Sequence, residues 1–135
     1  MTPTEELAAI ETSLTLCADR AGDIVPAVFT RFFQRDDAAH DLMRHSDQHM
    51  QGRMFEGVLE LLLSDDHFGP GRYLEWELDN HIQAYNATPS MYQSFFTALT
   101  DTVTEALGDD WSTDFQAAWD QRIARILQQV DAHPH

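Results

Sequence analysis

Between Thr88-Pro89 and Gly108 the residues Tyr92, Phe95, Phe96, Leu99, Val103 and Leu107 recur every three or four positions, the interval at which side chains share one face of an α-helix. The same spacing governs the rest of the chain. Thr2-Pro3-Thr4-Glu5 reads as a capping box with Pro at the first helical position, opening a helix that carries Leu7, Ile10, Leu14 and Cys17 and ends near Arg20 to Gly22. Asp23 is placed to cap a second helix, with Pro26 in its first turn and Val25, Val28, Phe29, Phe32 and Phe33 as its apolar stripe to about Arg35. A short helical turn through Asp37 to Met43 follows. Ser46 is read as the cap of a longer helix whose face holds Met50, Met54, Phe55, Val58, Leu59 and Leu62, ending in the loop from Ser64 to Gly71. Tyr73, Leu74, Trp76 and Leu78 mark a short helix running up to His81, and Gly108 stops the helix that Thr88-Pro89 begins. Ser112 caps a last helix bearing Phe115, Trp119, Ile123, Ile126, Leu127 and Val130. No segment alternates apolar and polar residues over a strand's length, so the expected fold is all-α with no sheet.

A chain of 135 residues with 43% hydrophobic content can bury a sizeable core as one domain spanning 1–135. Its charges are 23 Asp plus Glu against 8 cations, all of them Arg, for a formal net charge of -15. Nucleic acid and anionic membrane surfaces are therefore not expected partners, since both are met by basic patches. Cys17 is the only cysteine, which excludes an intramolecular disulfide and any Cys-based zinc or iron–sulfur site. Leu14, Leu16 and Ala18 around it suggest a buried small hydrophobe rather than a reactive thiol. No basic-then-apolar leader and no membrane-spanning run is read, so a cytoplasmic protein is expected.

Seven His among many acids invite a metal reading. A di-iron bundle needs two Glu-x-x-His pairs, and the nearest match is the single Asp37-x-x-His40. His45 and His49 are four apart, but no Glu follows His45 as a zinc-protease helix demands, and the run is polar. There is no G-x-S-x-G elbow and no Gly-rich phosphate loop. What remains is His81, at the end of a short helix after an aromatic and aliphatic stretch. A neutral imidazole projecting into an apolar pocket is the chemistry that holds a haem iron from one side, while a packed or exposed His is the simpler reading of that residue taken alone.

The order and spacing of several segments along residues 5 to 130 resemble a bacterial single-domain globin. They are Val28-Phe29-Thr30-Arg31-Phe32-Phe33-Gln34-Arg35-Asp36, Leu42-Met43 at the following corner, and Met50-Gln51-Gly52-Arg53-Met54. His81, Tyr85 and Pro89-Ser90-Met91-Tyr92 continue the series, then Ala106-Leu107-Gly108-Asp109-Asp110-Trp111-Ser112 and Ala117-Ala118-Trp119. The resemblance implies a globin fold of about seven helices, three over three, around haem b. It makes His81 the proximal iron ligand, with Gln51 facing a bound gas (O2, CO or NO) from the distal side.

Phe29, Phe33, Met43, Met54 and Phe55 would line the pocket, with Phe96 and Leu99 beneath the haem. Arg44, His45 and Arg53 would be partners for its propionates. A Gln amide can donate to a gas ligand of partial negative charge, and phenyl rings exclude water. Two departures stand out: Met43 replaces the Phe that globins press against haem, and the interval from His81 to Tyr85 and Tyr92 is one residue longer than the family's. Strict spacing would put Ile82, which cannot bind iron, in the ligand's place, and one extra residue in that corner keeps His81. His49 or Met50 could reach the iron instead of Gln51. The expected function is reversible gas binding for carriage, storage, sensing or NO handling, with an external reductase needed for NO dioxygenase chemistry. The alternatives are a haem-free globin-like interaction or signalling module, favoured by the two departures, and a peroxidase-like enzyme using His49 or Gln51. Monomer and homodimer both remain open.

Overall fold

The computed structural model describes residues 1–63 and 88–132. Its elements are α1 (Pro3–Ala21), α2 (Val25–Arg35), α3 (Asp37–Met43), α4 (Gln48–Leu63), α5 (Pro89–Leu107), a single 3-10 turn (Gly108–Asp110) and α6 (Thr113–Ala132). Six α-helices, against the expected seven or so, therefore lie among the described residues. The loop from Ser64 to Gly71 and the short helix expected to end at His81 fall outside them, as do His81, Ile82 and Tyr85. Among the described residues no helix is long and apolar enough to cross a membrane.

The helix boundaries have local causes. The Thr2 hydroxyl accepts from Glu5 N at 3.1 Å while the Glu5 carboxylate accepts from Thr2 N at 3.3 Å, the reciprocal pair of a capping box. Those Thr2 hydrogen bonds hold the Glu5 carboxyl below its ordinary value. Ser112 caps α6 as expected, its Oγ accepting from Phe115 N at 3.1 Å. Gly108 ends α5 with φ +53°, a conformation L side chains rarely adopt.

Three expected caps are built differently. At α2 the cap position is Ile24, and the Asp23 carboxylate reaches only Val25 N, at 3.0 Å. Pro89 does open α5, but the Thr88 hydroxyl lies 3.1 Å from the Ser90 hydroxyl and caps no backbone N–H. At α4 the cap is Asp47 and not Ser46: Asp47 Oδ1 accepts from Met50 N at 2.8 Å.

Packing places α1 against α5 and α6, and α2 against α5, with α4 crossing α2. The centre is closed by Ile10, Val28, Leu61, Leu62, Leu99, Val103, Trp119 and Ile126, all fully buried. Burying such side chains drives the collapse at roughly 1.5–3 kcal/mol each. Trp119 satisfies its indole by donating to Ser13 Oγ at 2.9 Å, and Ser13 in turn donates to the Ile10 carbonyl at 2.7 Å, so no polar atom of that pair is left unmet. Cys17 is buried as expected, and burial pushes its thiol up, away from the reactive thiolate.

The arginines clamp helices together. Arg20 donates to the Leu107 carbonyl at 2.9 Å and pairs with Asp110, closing the C-terminal end of α5 from α1. Arg31 pairs with Glu105 and Arg35 with Asp101, joining α2 to α5. Deep between α1 and α6, the fully buried Glu6 takes Arg122 at 3.3 Å and also Arg125, while Arg122 Nε donates to the Leu62 carbonyl near the end of α4.

Candidate functional site

Polar and aromatic groups that could serve a ligand converge where α2, α4 and the first half of α5 meet. The helical repeat puts Phe29 and Phe33 four apart on one face of α2, with ring centroids 5.7 Å from each other. Phe95 of α5 closes on Phe29 edge-on at 5.5 Å, and Phe55 of α4 approaches Phe95 at 6.4 Å. Phe95, which is not among the expected pocket residues, joins the two expected pocket phenylalanines Phe29 and Phe55. Phe96, one position on, is turned by a helical step into the groove between α5 and α6 with Ile123 and Leu127. Leu99 is sealed in the closed core.

A graded burial distinguishes this region from the rest of the interior. Met43, Met54, Phe55, Met91, Tyr92 and Phe95 keep 5–9% of their surface accessible, whereas Ile10, Val28, Ala98, Leu99, Val103, Trp119 and Ile126 keep none. This less completely covered set consists of aromatic and thioether side chains, and its three methionines are flexible enough to conform to a large flat ligand. Gln51 is half-buried, and it lines an open cavity of about 340 Å³ between α2 and α4, with Val25, Pro26, Phe29, Phe33 and Gly52 on its apolar part and Asp23, Thr30 and Gln48 on its polar part.

Of the other expected residues, Met43 is buried at the end of α3, while His45, His49 and Met50 are exposed. Arg44 and Arg53 are also exposed, and unlike Arg20, Arg31, Arg35, Arg122 and Arg125 they make no ion pair or hydrogen bond among the described residues. In a chain of net charge -15, two arginines without carboxylate partners among the described residues, Arg44 at the end of α3 and Arg53 in the second turn of α4, are available to an anionic group. No set of three or more His, Cys, Asp or Glu positioned to hold a bare metal ion occurs among the described residues. The residues present therefore suit a flat, largely apolar group with anionic edges, and the donor set on the α4 side is a neutral amide. Haem has that character, and the residues fit it.

Ser46 was missed as anything other than a cap. Its hydroxyl accepts from Gln51 Nε2 at 3.1 Å and donates to the Met43 carbonyl at 2.6 Å, linking two of the expected site residues. Ser and Asp are adjacent here and both favour helix N-termini, so residue type alone could not assign the cap to one and the tether to the other.

The globin family's sequence model matches residues 27–130, which covers most of the chain, from within α2 to near the end of α6, and the chain belongs to the globin family. None of the curated proteins compared matches it. Globins generally hold haem and bind diatomic gases on it.

Proposed function

We propose that this globin holds haem b with His81 as the proximal ligand and binds O2, CO or NO reversibly on the side of Gln51. The observation that carries the reading is the ring cluster of Phe29, Phe33, Phe55 and Phe95, beside which Gln51 is half-buried on the cavity that Phe29 and Phe33 also line. Haem supplies an iron that takes up a diatomic gas, chemistry that no side chain offers. The chain supplies the surroundings. Phe29, Phe55 and Phe95 exclude water from the distal side, which slows loss of the ferrous state. The Gln51 amide is a neutral donor to a ligand of partial negative charge. Arg44 and Arg53, lacking carboxylate partners, meet the propionates, with His45 beside them. Met43 takes the volume that the family gives to Phe, and its burial at the corner suits packing against a ring. His81, outside the described residues, would supply the neutral imidazole that holds the iron.

The test is the visible spectrum of the purified protein with one equivalent of added haem, in ferric, ferrous and CO forms. A sharp Soret band that moves on reduction and again with CO supports the reading. A broad band like that of free haem overturns it, and makes the chain a haem-free interaction module. His81→Ala is expected to abolish stoichiometric haem uptake or to change the ligand field; an unchanged spectrum in that variant rejects His81 as the ligand. Ferrous bands of a six-coordinate state would show His49 or Met50 at the iron in place of an open position.

A further inference from the structure

Ser46 lies in the corner between α3 and α4, and its hydroxyl is committed twice. It donates to the Met43 carbonyl at 2.6 Å and accepts from Gln51 Nε2 at 3.1 Å. A serine hydroxyl has one proton. With that proton on Met43, Ser46 offers Gln51 only lone pairs, so the amino end of the amide can meet it and the carbonyl end cannot.

Helix capping does not account for the arrangement. Asp47 caps α4 through Met50 N, and its carbonyl accepts from Gln51 N at 3.0 Å. The Ser46 backbone N–H also reaches the Met43 carbonyl, at 2.9 Å, so Ser46 is fixed to the corner by two bonds while its lone pairs face Gln51. An amide at a half-buried site has two flip states of similar shape, and the hydrogen-bond partner decides between them.

We propose that Ser46 is a positioning residue that selects one flip state of the Gln51 amide. One N–H goes to Ser46, one N–H stays available to a gas ligand, and the carbonyl oxygen is kept from exchanging places with them. This rests on the haem-binding reading above. Without Ser46 the amide is free to turn its carbonyl lone pairs toward a ligand of partial negative charge, which weakens the hold on O2.

The experiment compares wild type, Ser46→Ala, Ser46→Thr and Gln51→Leu. The first readout is the pair of Gln51 side-chain amide protons in the protein as purified, identified by their absence in Gln51→Leu. Ser46→Ala is expected to draw their two shifts together and speed their exchange with solvent, and Ser46→Thr to restore the wild-type pattern. The second readout is the C–O stretch of the ferrous CO form and the O2 dissociation rate. Ser46→Ala is expected to split the stretch into two bands and to release O2 about two- to tenfold faster, the range spanned by one net hydrogen bond. Ser46→Thr is expected to show one band and the wild-type rate. Both readouts unchanged in Ser46→Ala, while Gln51→Leu shifts the stretch, overturn the proposal and leave the distal reading standing. No shift in Gln51→Leu overturns the distal role of Gln51 and the proposal with it. Failure of the wild type to take up haem is seen before any variant is compared and counts against the haem reading itself. Because Asp47 holds the cap, Ser46→Ala should lower the thermal midpoint only by the few degrees that the lost hydroxyl hydrogen bonds are worth, with the protein folded at the temperature of both readouts, which separates positioning from a folding defect.

Discussion

Glu6 is the residue whose environment departs furthest from its chemistry, a carboxylate with no accessible surface in the first turns of α1. Moving such a charge out of water costs several kcal/mol, and attraction to a partner repays it only with good geometry. Here the partner Arg122 is itself 2% exposed and Arg125 stands at the edge. Glu6→Gln takes away the carboxylate that Arg122 and Arg125 meet in the interior and puts in its place an amide that neutralises neither, and breaking such a buried pair costs more than the pair contributes. Glu6→Gln is therefore expected to lower the unfolding free energy by about 3–5 kcal/mol, read as a fall in the urea midpoint. A loss under about 1 kcal/mol, the value of an exposed pair, would show that Glu6 contributes no more than a surface carboxylate.

At the scale of a helix, two glycines invite opposite predictions. Gly52 sits inside α4, where a Cβ would meet nothing within 4 Å. Glycine in a helix interior is less favourable than alanine by roughly 0.5–1 kcal/mol, because its backbone loses more freedom on folding. Gly52→Ala should therefore raise stability by about that amount, seen as a rise in the thermal midpoint. Gly108 also has open space around a Cβ, but its φ of +53° is strained for any L side chain. Gly108→Ala should cost about 1–3 kcal/mol, the range for a backbone held in a sparsely populated region. Equal effects of the two substitutions would mean that the stop of α5 does not depend on that conformation.

The whole molecule carries a net charge of -15, and two electrostatic effects of opposite sign respond to salt. Added salt weakens the clamps Arg20–Asp110, Arg31–Glu105 and Arg35–Asp101, but these have exposed carboxylates and are worth roughly 0–1 kcal/mol apiece. Salt also screens the mutual repulsion of the surplus acids, as the Debye length shrinks from about 30 Å at 0.01 M to about 10 Å at 0.1 M. The repulsion involves many more groups than the clamps, so it should dominate. The thermal midpoint of the protein is expected to rise with sodium chloride over that range; a steady fall would mean that the arginine clamps outweigh the repulsion. Glu6 with Arg122, being buried, should be nearly indifferent to the change.

By itself the sequence determined where the helices lie, because a three-to-four-residue apolar repeat, a Pro at a first turn and a Gly at a stop act within a few residues of themselves. It also carried enough of the order of Val28 to Asp36, Met50 to Met54 and Ala106 to Trp119 to indicate a globin. Tertiary structure alone decided which of several equivalent local choices was used. Phe95 and Phe96 are indistinguishable in a periodic pattern, and only the rotation of α5 against α2 turned Phe95 toward Phe29. Arg122 reads as a solvent-facing helix residue until Glu6, more than a hundred positions earlier, is packed against it. Ser46 and Asp47 are both good caps, and the choice went to Asp47 because the Met43 carbonyl and the Gln51 amide, brought together at the corner, gave the Ser46 hydroxyl another use.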